Sequence, residues 1–290
     1  MIPSTHKAKV FDPATTGVLP RRLIVNADDF GGSHSINQAV VRAHREGILT
    51  SASLMVNEPG FAEAVALARE NPSLGVGLHL TLLHGHSALS RKQIPDLVDD
   101  EGRFSFNPVT AGFRYFANRR VETQLFAEID AQFEKFRQSG LPLDHVNGHL
   151  HLHLHPTVFQ LLAKNVARWG ITHLRLTHDP FWLNARLVPG YWFYRVSHAI
   201  IHRALSQRAR RVLRRLEIKH TSAVFGLLQN ARVDENYLLR LLPKLPPGDS
   251  ELYSHPSLDQ FKHELDALIS LKVKALLERL GIRLIRYQDL

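Results

Sequence analysis

The chain has 290 residues, 44% hydrophobic and 22% charged, which supplies a sizeable core and excludes a disordered or fibrous protein. It has no cysteine, which excludes disulfide scaffolds, thiolate zinc sites and cysteine nucleophiles, so any metal must be held by histidine and carboxylate. A formal charge of +9, from 36 Lys and Arg against 27 Asp and Glu, suggests a partner with phosphate or anionic headgroups, as nucleic acid or a membrane surface would offer.

Residues 1–21 read as an N-terminal extension without the apolar core of a secretory signal, and no apolar run reaches membrane-spanning length. A cytoplasmic protein is the expectation. Residues 22–290 read as one domain. "RLIVNADD" (Arg22 to Asp29) is a short apolar run ending in carboxylates, followed by "GGSHS" and a helix pattern from Ile36 to Glu46. "SASLMV" reads as a second strand, "FAEAVALARE" as a helix, and "LGVGLHLTLL" as a third strand. A loop rich in Gly, Pro and Asp covers 83–108, and a helix covers Val121 to Ser139. "PLDHVNGHLHLHL" is the next strand region, then a helix over 156–169 and the strand "THLRL".

From Asp179 to His220 the alternation breaks into an aromatic stretch and a crowd of Arg, which predicts an inserted helical segment near 180–220. "SAVFGLL", a helix from Asp234, "SELYSHP", a long helix from Leu258 to Leu280 and the strand "IRLIRY" complete the chain. About seven strands alternating with helices predict an α/β fold with a parallel sheet, open or closed into a barrel. Ligands of such folds sit beyond the carboxyl ends of the strands.

The polar residues at those ends are Asp28 and Asp29, His79, the run His149, His151, His153 and His155, and His255. Strand alternation would place the four His of the run on one face and Leu150, Leu152 and Leu154 on the other. Alternation alone leaves open whether that face binds metal or is merely solvated. An adjacent Asp pair either caps the next helix or serves a cation, and a lone His in an apolar strand is ordinarily a satisfied core residue. An Asp and two His delivered by separate strands form a three-ligand set that leaves positions for water and substrate.

"LIVNADDFG", "LTSASLMVN", "GVGLHLTLL", "HVNGHLHLH", "SHP" and "IRLIRYQDL" resemble, in order and spacing, the YdjC-like carbohydrate deacetylases, from about Arg22 to the C-terminus apart from 180–220. The resemblance implies a (βα) barrel-like fold related to polysaccharide deacetylases, and metal-dependent removal of acetyl from an N-acetylated amino sugar. By position it implies Asp29, His79 and His149 as ligands of one divalent ion, zinc or magnesium. It further implies Asp28 as general base and His255 as an active-site His that protonates the leaving nitrogen. Asn147 stands where the family often has Asp, a group that would orient a ligand or touch the sugar. His151 and Asn147 are the expected substrate-side residues, although a purely structural role for His151 stays open.

The His-rich run, the basic segment and the length are most similar to the hopanoid-biosynthesis-associated branch, which implies an N-acetylglucosaminyl hopanoid as substrate. A soluble chitooligosaccharide is the alternative. A non-catalytic metal or nucleic-acid binder is the competing class, disfavoured because the carboxylates and histidines come from separate strand ends; no nucleic-acid partner is expected. In helical register Leu205, Ala209, Val212, Leu213 and Leu216 share a stripe that Arg208, Arg211, Arg214 and Arg215 largely avoid. That pattern fits either a helix packed on the barrel or one that lays the enzyme on the anionic inner face of the membrane.

Overall fold

Leu23, Ile24, Val25 and Ala27 have no solvent exposure, as a strand covered on both faces requires. They form β1 (Arg21–Phe30), the centre of the sheet in the computed structural model, which describes residues 19–116 and 118–290. Residues 1–18 of the expected extension lie outside the described residues. After β1 come α1 (His34–Glu46), β2 (Ser51–Leu54), α2 (Phe61–Glu70), β3 (Gly75–Leu80), α3 (Pro108–Arg114), α4 (Arg119–Gln138) and β4 (Val146–Gly148). The second half runs α5 (Pro156–Lys164), α6 (Val166–Trp169), α7 (Phe181–Leu187), α8 (Trp192–Arg215) and β5 (Ala223–Phe225). It ends with α9 (Glu235–Leu241), β6 (Gly248–Ser254), α10 (Lys262–Ile269), α11 (Leu271–Arg279) and β7 (Arg283–Leu284).

The strand order is β4-β3-β2-β1-β6-β5, all parallel, with β7 paired to the start of β1. The expected "THLRL" strand is an extended segment with single bridges, Val146 to Leu174 and His173 to Lys219. The Val224 amide also donates to the His178 carbonyl. These links carry the β4 edge toward the β5 edge, so the sheet curls as a parallel-strand half-barrel of the α/β class. Helices close its outside. In α4, Leu125, Ile129, Phe133 and Phe136 recur at helical spacing and are buried, and the Asn118 side chain caps its start by accepting from the Val121 amide.

Two expected helices are shorter than their apolar periodicity suggests. The helix over 258–280 is broken at Ser270, whose extended ψ of 126° ends α10 while its hydroxyl accepts from the Val273 amide to start α11. The helix over 156–169 divides at Asn165. The largest correction concerns the His run. The strand stops at Gly148, and His149–Leu154 form a tight turn in which Leu150 and His151 take left-handed φ values of 50° and 58°. A Cβ on Gly148 would meet the His153 Cβ and amide nitrogen at 3.1 Å, so the turn folds back where glycine leaves room. The four histidines therefore do not share one strand face. The inserted segment is helical as expected, supplied by α7 and the 24-residue α8. On α8, Ala209 and Leu213 are buried, Leu205 and Val212 pack against the core, as does Leu216 just past the helix end, and Arg208, Arg211, Arg214 and Arg215 are exposed.

Candidate active site

Consecutive residues of a strand normally point to opposite faces, which would separate Asp28 from Asp29. Here β1 pairs Ala27 with Ala52 but Phe30 with Leu54, so one extra residue is inserted opposite β2. Asp29 takes φ 63° inside this bulge. The distortion directs both carboxylates toward the ends of β3 and β4.

Asp29 Oδ1 lies 3.1 Å from His79 Nε2 and 2.9 Å from His149 Nδ1. The two rings meet edge to face with centroids 5.5 Å apart. One ligand atom from each of Asp29, His79 and His149 lies within 4.8 Å of the others, a spacing that could hold a metal ion. Burial alone would raise the Asp29 carboxyl, but the His149 ring beside it prevails and holds it well below the usual carboxylate range. His149, whose burial opposes its charge, is raised by Asp29.

Behind His79 stands Asn147, its register partner across β3 and β4. The amide orientation is fixed by its donors: Nδ2 donates to Ser53 Oγ at 2.7 Å and to Asp28 Oδ1 at 3.2 Å, so Oδ1 faces His79 Nδ1 at 2.7 Å. Asn147 is completely buried, so this expected substrate-side residue reaches a substrate only through His79 and Asp28. One amide both accepts from the imidazole and donates to Asp28, which a carboxylate at this position could not do.

Asp28 is buried, and both of its oxygens accept hydrogen bonds. Arg175 Nη1 donates to Oδ2 at 2.7 Å and Nη2 to Oδ1 at 2.9 Å, while Asn26 Nδ2 donates to Oδ1 at 2.8 Å. The guanidinium has no solvent exposure and also donates through Nε to Glu251 Oε1 at 2.8 Å, and the Tyr287 hydroxyl donates to the other Glu251 oxygen. The Tyr253 ring covers its face at 4.6 Å. Burial would push the Asp28 carboxyl up, yet the Arg175 charge outweighs it and keeps Asp28 far below the usual range. Asp28 is therefore ionised at any working pH, with its proton affinity reduced.

The other histidines diverge. His151 Nε2 pairs with the Tyr253 hydroxyl at 2.9 Å and its ring lies edge-on to His202 of α8. His153 is wholly buried with Nε2 on the Arg175 carbonyl, and burial pushes it down to about 3. His155 caps α5 through the Thr157 amide and lies 4.3 Å from the Phe116 ring. His153 and His155 are thus structural here. His255 follows Ser254, which is in register with Ala27, so it stands beside Asp28 at the end of β6, its Nδ1 3.8 Å from Glu264. The sequence reading missed Arg175 and Glu251. The signal was present in both cases: a charged residue inside an apolar extended stretch, "HLRLTH" and "ELYS", needs a buried partner. Beyond Tyr253, an open cavity of about 460 Å³ lies between α7 and α8, lined by Phe181, Trp182, Leu183, Val196 and Ile200, with His178, Asp179 and Arg203 also on its wall.

Fold and site together define a parallel α/β protein with an Asp-His-His cluster and a buried carboxylate at its strand ends. The family model described as YdjC-like protein matches residues 22–279, and the chain belongs to that family. A carbohydrate deacetylase of Brevibacillus brevis is 46% identical over 143 residues, which are 49% of this chain and 54% of the relative. One of Geobacillus stearothermophilus is 37% identical over 153 residues, 53% of this chain and 59% of the relative. The chain thus matches only a little over half the length of these curated relatives. A crystal structure from Enterococcus faecalis V583, described provisionally as a cellobiose-phosphate cleavage protein, superposes with a TM-score of 0.70 at 24% identity. That match covers 93% of this chain and 98% of the other, and shows the shared fold.

Proposed function

We propose that the chain is a metal-dependent hydrolase that removes the N-acetyl group from an N-acetylated amino sugar. One observation carries the metal part of this reading. His79 faces an acceptor from each ring nitrogen, Asn147 Oδ1 on one side and Asp29 Oδ1 on the other. A neutral imidazole has a single N–H, so the second contact calls for a positive charge, which a cation between His79, Asp29 and His149 supplies. The donor set fits such an ion. Two imidazoles and one carboxylate suit zinc better than magnesium, which prefers oxygen donors; metal analysis of the purified protein distinguishes them.

A divalent ion there would polarise the acetyl carbonyl and lower the pKa of a water held beside it. Asp28 is the base. It is fully ionised, and Oδ2 accepts only from Arg175 Nη1, so a lone pair is left for the proton of the attacking water. Arg175 fixes the direction of that carboxylate. His255, at the neighbouring strand end, gives the departing amine its proton. His151, turned toward Tyr253, lies on the sugar side.

The finer part of the proposal is that the sugar is carried by a lipid, an N-acetylglucosaminyl hopanoid, met at the inner face of the cytoplasmic membrane. The apolar cavity between α7 and α8 supports a substrate with an apolar tail. The curated relatives are named carbohydrate deacetylases, a name that fits the second reading, a soluble chitooligosaccharide, as well as the first. Mass spectrometry of both substrate classes after incubation with protein, with and without a chelator, tests the proposal. Loss of one acetyl group from the glycolipid, abolished by the chelator and restored by zinc, is expected. No acetyl loss from either class in the metal-loaded protein would refute it, and loss from chitooligosaccharide alone would select the second reading.

A further inference from the structure

Among the described residues fifteen large apolar side chains are exposed, and they are not scattered: four lie in 104–120, one is Leu150, and seven lie in 181–215. The first group is Phe106, Val109, Phe113 and Phe116, on and around α3; Phe113 is 75% exposed. The second includes Trp182 of α7 and Trp192, Phe193 and Ile200 of α8; Phe193 is 90% exposed. An apolar patch of this extent on a soluble protein marks an interaction surface.

Both groups border the mouth of the site. Phe106 packs on His84 with centroids 5.2 Å apart, and His84 lies 6.4 Å from His149. Phe116 packs on His155, at the end of the turn that carries Leu150. On the opposite side His202 of α8 meets His151 at 5.2 Å. The turn 149–155 thus joins two apolar lobes, with exposed Leu150 between them.

Charge complementarity identifies the occupant. Residues 181–215 contain eight Arg, of which only Arg195 is buried, and no Asp or Glu, and residues 104–120 contain Arg114, Arg119 and Arg120, again with no carboxylate. Arg120 pairs with Asp96, which leaves Arg114 and Arg119 as the cations of that lobe. Exposed aromatic and aliphatic side chains on segments whose own charged residues are all Arg match the boundary of an anionic bilayer, where the rings enter the headgroup layer and the guanidinium groups meet lipid phosphate. No described helix is long and apolar enough to cross a membrane, so the contact is peripheral. We propose that the two lobes, 104–120 and 181–215, form one docking surface for an anionic lipid bilayer, with the mouth of the site facing the headgroups. The inserting part of α8 is its aromatic N-terminal half. The Arg211 to Arg215 end, whose apolar side packs on the core, lies about 30 Å further along the helix axis. This docking rests on the lipid-linked reading of the substrate for its purpose, but not for its detection.

The test is co-sedimentation of the full chain with phosphatidylcholine vesicles, with and without phosphatidylglycerol. Wild type is expected to sediment only with the anionic vesicles, less so as salt rises, with a blue shift in tryptophan emission from Trp182 and Trp192. Phe113→Ser with Phe116→Ser, and separately Phe193→Ser with Ile200→Ser, each lower the partition coefficient about tenfold. Arg211→Gln, Arg214→Gln and Arg215→Gln together lower it less than either pair. All the replaced side chains are exposed, and circular dichroism checks that the variants fold. Absence of wild-type binding overturns the proposal, as does loss confined to one lobe, or binding to an oligonucleotide but not to vesicles. Acetate release from a soluble sugar by a protein that ignores vesicles sinks the docking alone. Vesicle binding without any deacetylation sinks the enzymatic reading alone.

Discussion

Asp28 and Asp29 are adjacent, yet the bulge in β1 assigns them to regions with opposite physical character. Asp29 belongs to a half-open cluster with His79 and His149, in which two imidazoles converge on one carboxylate oxygen. Asp28 belongs to a closed cluster with Arg175, Glu251 and Tyr287, in which every charge has a partner and Arg175, Glu251 and Tyr287 have no solvent exposure. The front region has donor capacity left over for a ligand. In the back region charge is balanced internally, and Arg175 holds the Asp28 carboxylate ionised and oriented. A residue removed from the front should therefore change what the protein binds, and one removed from the back should change how well it folds.

Asp28 is where the two regions touch, and its substitution is expected to have the largest effect. Asp28→Asn keeps the size and most hydrogen bonds but removes the proposed base, so deacetylation should fall about 10²- to 10⁴-fold. Bound metal, measured by elemental analysis, should be retained. Asp29→Asn should do the reverse, losing metal first. If Asp28→Asn emptied the metal and Asp29→Asn did not, the front and back assignments would be exchanged.

Arg175→Met removes the cation at the centre of the back region. It strands two buried carboxylates, and breaking a buried ion pair from one side costs about 3–5 kcal/mol. The denaturant midpoint should drop accordingly, and an unchanged midpoint would mean that Asp28 and Glu251 reach solvent.

The front region was more legible in the sequence than the back, for a physical reason. His79 and the Asp pair stand out because they interrupt or end apolar strands whose periodicity is plain, and parallel register then brings the strand ends together. Arg175 sits in a segment held only by isolated bridges, and its importance comes from Asp28 and Glu251, 147 and 76 residues away. The turn after Gly148 was hidden for another reason. Its left-handed residues are Leu150 and His151 instead of Gly or Asn, and perfect alternation in "HLHLHLH" mimics a strand. The stripe on α8 was readable from helical spacing. The exposed aromatic face at its other end was not, because exposure depends on what fails to pack against it.

Asn147 joins the two regions, accepting from His79 in front and donating to Asp28 behind. Asn147→Leu should leave the ligands in place but release the His79 ring, lowering metal affinity about 10- to 100-fold, a loss typical of a removed outer hydrogen bond. Competition with a chelator would measure it. Affinity equal to wild type would show that β3 alone orients His79.

The smallest effect expected lies beyond both regions, where α8 buries a ring against the site. Burial holds His202 at about 4, with the neighbouring His198 adding to the shift. An ordinary His in the unfolded chain titrates near 6.5, so between those values the unfolded state binds a proton that the folded state refuses. Folding stability therefore rises with pH across that window and is lost as pH falls through it, by about 1.4 kcal/mol per pH unit for one such group. His153, pushed down to about 3, contributes in the same direction, so the wild-type slope belongs to more than one ring. The difference between wild type and His202→Leu isolates one of them. Its Nδ1 is buried without a hydrogen-bond partner, so the substitution leaves no bond of that nitrogen unmet. Denaturant titrations from pH 7 to pH 5 should give a shallower slope for the variant, and parallel slopes would place His202 in contact with solvent.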